Sequence, residues 1–94
     1  MSYVLVRHKV EDYNKWKPLF DENVTERKEH GSKGGYVFRN ADDSHELLVL
    51  LEWNGREGAK KFIESDKLRE TMQEAGVTAQ PEIFYLDETD RPKS

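Results

Sequence analysis

The chain has 94 residues, of which 35% are hydrophobic and 36% charged, with a formal net charge of −4. That length makes one domain, which buries only roughly 60–65% of its unfolded surface, so the core must be concentrated in a few segments. The acidic balance excludes a nucleic-acid binder, no apolar run approaches the roughly 20 residues that span a bilayer, and the absence of cysteine removes disulfides, thiolate metal sites and a thiol nucleophile.

The N-terminal residues Met1-Ser2-Tyr3-Val4 enter a strand pattern at once, without a charged region or a small-residue cleavage site. A signal peptide is therefore not expected, and a cytoplasmic protein is. Tyr3 to Val10 begins apolar on both parities and turns polar at Arg7, His8 and Lys9, which reads as a first strand. Asp12 is a suitable N-cap for a helix whose stripe is Tyr13, Trp16, Phe20 and Val24. Pro18 falls within about the first two turns, where it is better tolerated. The helix is expected to run to Gly31 as C-cap, with His30 in the last turn favoured by the dipole. The run Glu26-Arg27-Lys28-Glu29 reads as its solvated face.

Tyr36-Val37-Phe38-Arg39, after Gly34-Gly35, has the short, polar, glycine-flanked profile of an edge strand. The segment Gly31-Ser32-Lys33-Gly34-Gly35 lacks the spacing of a phosphate loop and precedes a strand, so cap and bulge explain it. After a turn at Asn40-Ala41-Asp42-Asp43-Ser44 comes the strand His45 to Trp53, apolar at consecutive positions from Leu47 to Leu51. Successive side chains on a strand face opposite ways, so this one has to be covered on both sides. Asn54 and Glu57 read as a capping box for a helix carrying Ala59, Phe62 and Ile63. Ser65-Asp66 is a break and re-cap, and a second piece carrying Leu68, Met72 and Ala75 ends at Gly76. Pro81 opens the last strand, Glu82 to Leu86. Residues 1–87 thus form a single domain and 88–94 a solvated tail.

The order β-α-β-β-α-β favours an α+β, ferredoxin-like sandwich with strands one and three central and antiparallel. Two helices' worth of sequence covers one face, so the other face is expected to meet a second copy, making a homodimer.

Four segments are similar to the antibiotic-biosynthesis-monooxygenase group of dimeric α+β barrels: Val4-Leu5-Val6-Arg7-His8-Lys9-Val10, Leu50-Leu51-Glu52-Trp53, Phe62-Ile63-Glu64-Ser65-Asp66-Lys67-Leu68 and Pro81-Glu82-Ile83-Phe84-Tyr85. The resemblance covers almost the whole chain as pattern and order, and it implies fold more specifically than activity. That group includes cofactor-independent oxygenases of aromatic polyketides, heme-degrading enzymes and members with no established reaction. The heme degraders place an Asn on the first strand, a Trp ending the third and a ligating His on the last helix. His8 and Trp53 occupy the first two positions here, but the third falls near Met72, in a helix without histidine. The resemblance therefore implies no heme, and no metal, flavin or other cofactor is expected.

His8 is the candidate catalytic residue, an imidazole able to deprotonate a phenolic or enolic substrate whose carbanion then reacts with dioxygen. Its alternative is a half-buried structural residue bonded to a neighbouring strand or loop. Trp53, Trp16, Phe20 and Tyr13 are candidates for an aromatic wall that binds a planar ligand, or for plain core. Tyr36 and Tyr85 are candidates to orient a substrate oxygen or to pack at a dimer contact. His30, Asp42, Asp43 and His45 are too scattered for a metal site. Two readings stay open: a cofactor-independent monooxygenase acting on a small aromatic ligand, and a non-catalytic dimeric binding or structural protein. The test between them is whether His8 adjoins open space.

Overall fold

Four antiparallel strands and four short helices build the domain, and the computed structural model describes residues 2–94. In chain order they are β1 (Ser2–Lys9), α1 (Tyr13–Glu22), α2 (Val24–Glu29), β2 (Ser32–Asn40), β3 (Asp43–Trp53), α3 (Arg56–Ile63), α4 (Asp66–Glu74) and β4 (Glu82–Asp87). The sheet order is β2-β3-β1-β4, with β1 and β3 central, as the connections require. The Gly-rich β2 is an edge strand and begins four residues earlier than its apolar segment, at Ser32.

The side-chain alternation of β1 and β3 separates two layers. Val4, Val6, Leu47, Val49, Leu51 and Trp53 point to the helices and are buried with Trp16, Ala59, Phe62 and Ala75. Trp53 is fully buried against Phe62, their ring centres 5.6 Å apart. Burying such an indole is worth on the order of 4–6 kcal/mol by area, an upper estimate. Among the described residues its Nε1–H has no hydrogen-bond partner, which offsets about 1–3 kcal/mol of that.

The opposite face carries no covering layer among the described residues. Tyr36, Leu50, Leu5 and Phe84 lie side by side across all four strands. Tyr36 is 63% exposed, Phe38 50% and Phe84 43%, so a continuous apolar band faces outward. Beside it, charges pair off: Arg7 with Glu46 at 2.7 Å and Lys9 with Asp43 at 3.1 Å.

Local sequence signals explain most boundaries. The Asp12 carboxylate accepts from the Asn14 N–H at 2.9 Å and starts α1. Ser65 Oγ accepts from the Leu68 N–H at 3.2 Å and restarts the chain as α4. Gly31 and Gly76 take positive φ just beyond α2 and α4, the conformation that ends a helix most cheaply.

Three expectations need correction. The first helix is not continuous: α1 runs through Pro18 to Glu22 and breaks at Asn23, whose ψ of 6° is not helical. There the Asn23 N–H turns back to the Phe20 carbonyl, which also accepts from Arg27 Nη1 at 2.6 Å. The Asn54–Glu57 capping box does not form, because Gly55 is the N-cap of α3 and no side chain caps it. Asn54 instead donates its backbone N–H to the Gly31 carbonyl at 2.7 Å, tying α3 to the end of α2. Finally, Arg27 is not on a solvated face; it is only 8% exposed.

Residues 88–94 carry no helix or strand and are exposed. The tail still touches the sheet: the Tyr3 hydroxyl donates to Glu88, which Arg91 holds at 2.6 Å. No helix is long and apolar enough to cross a membrane among the described residues.

Candidate functional site

His8 is on the helix side of β1, in line with Val4 and Val6, and is 5% exposed. It adjoins a cavity of about 60 Å³ enclosed by the sheet, the α1–α2 break and the α3–α4 pair. Trp16 and Phe20 of the first-helix stripe form one wall, stacked with ring centres 4.8 Å apart. Met72 and Thr71 of α4 form the opposite wall, and Val49 and Leu51 the sheet floor. Both helix breaks matter here. The helices are interrupted at Asn23, which lines the cavity, and at Ser65, and residues of all four helical pieces contribute to the cavity or its surroundings.

Two polar groups stand out against this apolar lining. His8 Nδ1 is buried and has no hydrogen-bond partner among the described residues. Burial pulls the imidazole down from its ordinary 6.5 to about 4, with the Leu47 backbone opposing the shift. At neutral pH His8 is therefore an uncharged ring whose Nδ1 is unengaged. The second group is Arg27, whose guanidinium carbon lies 3.9 Å over the Phe20 ring centre. Its pKa is lowered by desolvation, and Asp21 opposes that. Among the described residues no carboxylate forms an ion pair with it; Asp21 is held by Lys17 at 2.7 Å. Reading Glu26 to Glu29 as a solvated run missed Arg27. The expected stripe gave no signal for it: Val24, the last stripe position, is 42% exposed, and the break at Asn23 turns Arg27 inward instead.

The other aromatic candidates fall elsewhere. Trp53 does not line the cavity, because it pairs with Ser2 while His8 pairs with Leu47. Six residues of strand separate the two positions, roughly 20 Å. Tyr13 lies against Trp16, 6.0 Å between ring centres, with Arg39 over its other side, and also stands outside the cavity. Tyr36 stacks on Phe38 on the open sheet face, and Tyr85 points its hydroxyl at Glu64 3.4 Å away. His30 and His45 are engaged by backbone carbonyls, of Glu26 at 2.9 Å and Val10 at 3.1 Å. Among the described residues no three His, Asp or Glu side chains cluster as a metal site.

A second, larger opening of about 340 Å³ lies on the outer side of Phe20 and Arg27, between α2 and β2. Phe20, Arg27 and Leu51 line both spaces and form the partition between them. Beside the cleft, β2 approaches β3 closely at Gly35, where an added Cβ would stand 2.0 Å from the Leu50 carbonyl oxygen.

No family model matches the chain, and no curated protein matches it. Solved structures do match, over nearly the whole length. An antibiotic biosynthesis monooxygenase aligns at 14% identity and TM-score 0.70, covering 96% of this chain and 100% of that one. A conserved protein from Methanosarcina mazei aligns at 18% and 0.72, covering 94% and 92%. A variant of SnoaB, a cofactor-independent oxygenase from Streptomyces nogalater, aligns at 10% and 0.74, covering 99% and 97%. At such identities the likeness shows the fold, a ferredoxin-like α+β domain of the kind seen in antibiotic-biosynthesis-monooxygenase structures.

Proposed function

We propose that this chain is a cytoplasmic homodimer that oxygenates a small aromatic or polyketide-like substrate without a cofactor, with His8 as the proton acceptor. The observation that carries the reading is the meeting of His8 with Trp16 and Phe20 around one cavity, with His8 Nδ1 unengaged. The fold shared with SnoaB supports it as analogy.

The chemistry needs only dioxygen as co-reactant. His8 takes a proton from an activated carbon or its enol, and the resulting carbanion gives electrons to O2, forming a carbon–oxygen bond. The peroxide then loses its outer oxygen as water, leaving a carbonyl: one CH2 and one O2 become one C=O and one H2O.

The pKa of His8 limits the substrate. A base near 4 faces a gap of about six units to an ordinary phenol, about 8 kcal/mol uphill. The anion formed beside it raises the imidazole again, and the Arg27 cation on the same cavity lowers the cost of the oxyanion. Substrates with acidic enols fit best. The space beside His8 is small, about 60 Å³, and in this reading a ring reaches it from the 340 Å³ cleft with Phe20 and Arg27 moving aside.

The partner in this reading is a second copy. The open band of Tyr36, Leu50, Leu5 and Phe84 matches the two-sided apolar strands that call for sheet-on-sheet cover.

The test is oxygen uptake with the hydroxyanthrone dithranol. Wild type should consume one O2 per ketone formed, and His8→Phe should lose about 100-fold or more of the rate above background. The small cavity and the low pKa of His8 favour a second reading, a non-catalytic dimeric ligand-binding protein. Dithranol binding without oxygen uptake would select it.

A further inference from the structure

The two cations nearest the outer cleft, Lys28 and Lys33, flank the same opening that Arg27 closes from within. No carboxylate lines this cleft, although the chain as a whole carries a net charge of −4. The neighbouring acids are engaged elsewhere: Asp21 by Lys17 and Glu26 by Lys67. A guanidinium offers five N–H donors, and among the described residues Arg27 makes one hydrogen bond, to the Phe20 carbonyl. A buried cation is costly unless it meets an anion, and among the described residues none forms an ion pair with Arg27; Asp21 acts on it only at longer range. The cleft volume of about 340 Å³ is in the range of small-molecule sites, and one end of it is the face of Phe20 and Val37.

We propose that the ligand is an organic anion, an aromatic carboxylate, which enters between α2 and β2 and is held by Arg27 at the partition to the His8 cavity. Lys28 and Lys33 draw it in, and the planar fork of Arg27 receives the carboxylate while Phe20 stacks on the ring. The inference deepens the oxygenase reading by naming its substrate class, and it rests on that reading only for the reaction that follows binding.

Calorimetry with naphthoate and the isosteric neutral naphthamide tests the charge directly. Wild type should bind naphthoate about tenfold tighter or better, and the margin should shrink on raising salt from about 20 to about 500 mM. Arg27→Met should remove the preference while keeping the amide's affinity, and Arg27→Lys should keep part of it. Because Arg27 is buried, circular dichroism must show both variants folded. The double variant Lys28→Gln/Lys33→Gln, on two exposed residues, tests the cleft independently: it should lower naphthoate affinity a few-fold and flatten the salt dependence. Equal binding of both probes, or no naphthoate binding up to about 1 mM, would overturn the proposal. So would a preference that survives in Arg27→Met and in the lysine double variant. Oxygen uptake from dithranol and from an anthrone carboxylate, followed in parallel, separates the two claims. Naphthoate preference without uptake keeps the anion site and rejects the oxygenase; uptake without preference does the reverse.

Discussion

His8 lies 5.7 Å from Trp16, ring centre to ring centre, with the planes tilted by 58°. This contact joins the first strand to the first helix stripe and makes His8 part of the core that the cavity interrupts. A charged imidazole there would lose water without gaining an anion, so folding and proton binding oppose each other.

That opposition has a defined sign. The folded pKa of His8, about 4, is below its ordinary 6.5, so the unfolded chain binds the proton first. His8 has no effect on stability above about pH 6.5, and stability falls as the pH drops toward about 4, by about 3 kcal/mol in total. Urea unfolding of wild type and His8→Gln across that range should diverge accordingly. Parallel pH profiles for the two proteins would contradict the burial account.

The two sheet faces predict opposite outcomes for neighbouring residues. Val49 is buried under the helices, while Leu50 is half-buried on the open band. Val49→Glu should cost more than about 3 kcal/mol and leave little folded protein. Leu50→Glu should keep the circular dichroism of wild type and sediment as a monomer. A wild type that is already monomeric at micromolar concentration would remove the dimer from the account.

Trp53 and Trp16 should separate stability from binding. Trp53 is roughly 20 Å from His8 along the sheet, and its Nε1–H has no partner among the described residues. Trp53→Phe should therefore cost only about 1–2 kcal/mol and leave dithranol affinity unchanged. Trp16→Ala should enlarge the His8 cavity and alter that affinity at least several-fold. A binding defect confined to Trp53→Phe would move the site to the other end of the sheet.

The fold was legible because its signals are local or strictly periodic. Asp12 and Ser65 cap where their side chains predict, the polarity of the Tyr36 segment marks an edge, and the runs in β1 and β3 demand the centre. The site was legible only in part. His8, Trp16 and Phe20 share a cavity because strand parity and helix spacing both point them inward. Trp53 left that group through antiparallel register, which counts residues from the hairpin and not from the helix stripe. Arg27 was hidden because a charged tetrad resembles a solvated face unless the helix break at Asn23 is known. At that break the Arg27 side chain bonds back to the Phe20 carbonyl, a contact that no local pattern encodes.

Heme should not bind tightly. The helix Leu68 to Glu74 offers Met72 and no histidine to the cavity, and 60 Å³ is far below the size of a porphyrin. Titration should give weak, non-saturating spectral change. A sharp one-to-one Soret shift abolished by His8→Ala would contradict this and make His8 an iron ligand.

The central claim, that His8 accepts the substrate's proton, is tested most directly by nitrogen NMR of histidine-labelled protein under anaerobic conditions. Without ligand at neutral pH, His8 should give the resonances of a neutral ring. Adding dithranol should move His8 to imidazolium values, while His30 and His45, bonded to backbone carbonyls away from the cavity, stay in place. A His8 that remains neutral in saturated protein, or a shift confined to His30 or His45, would contradict the account.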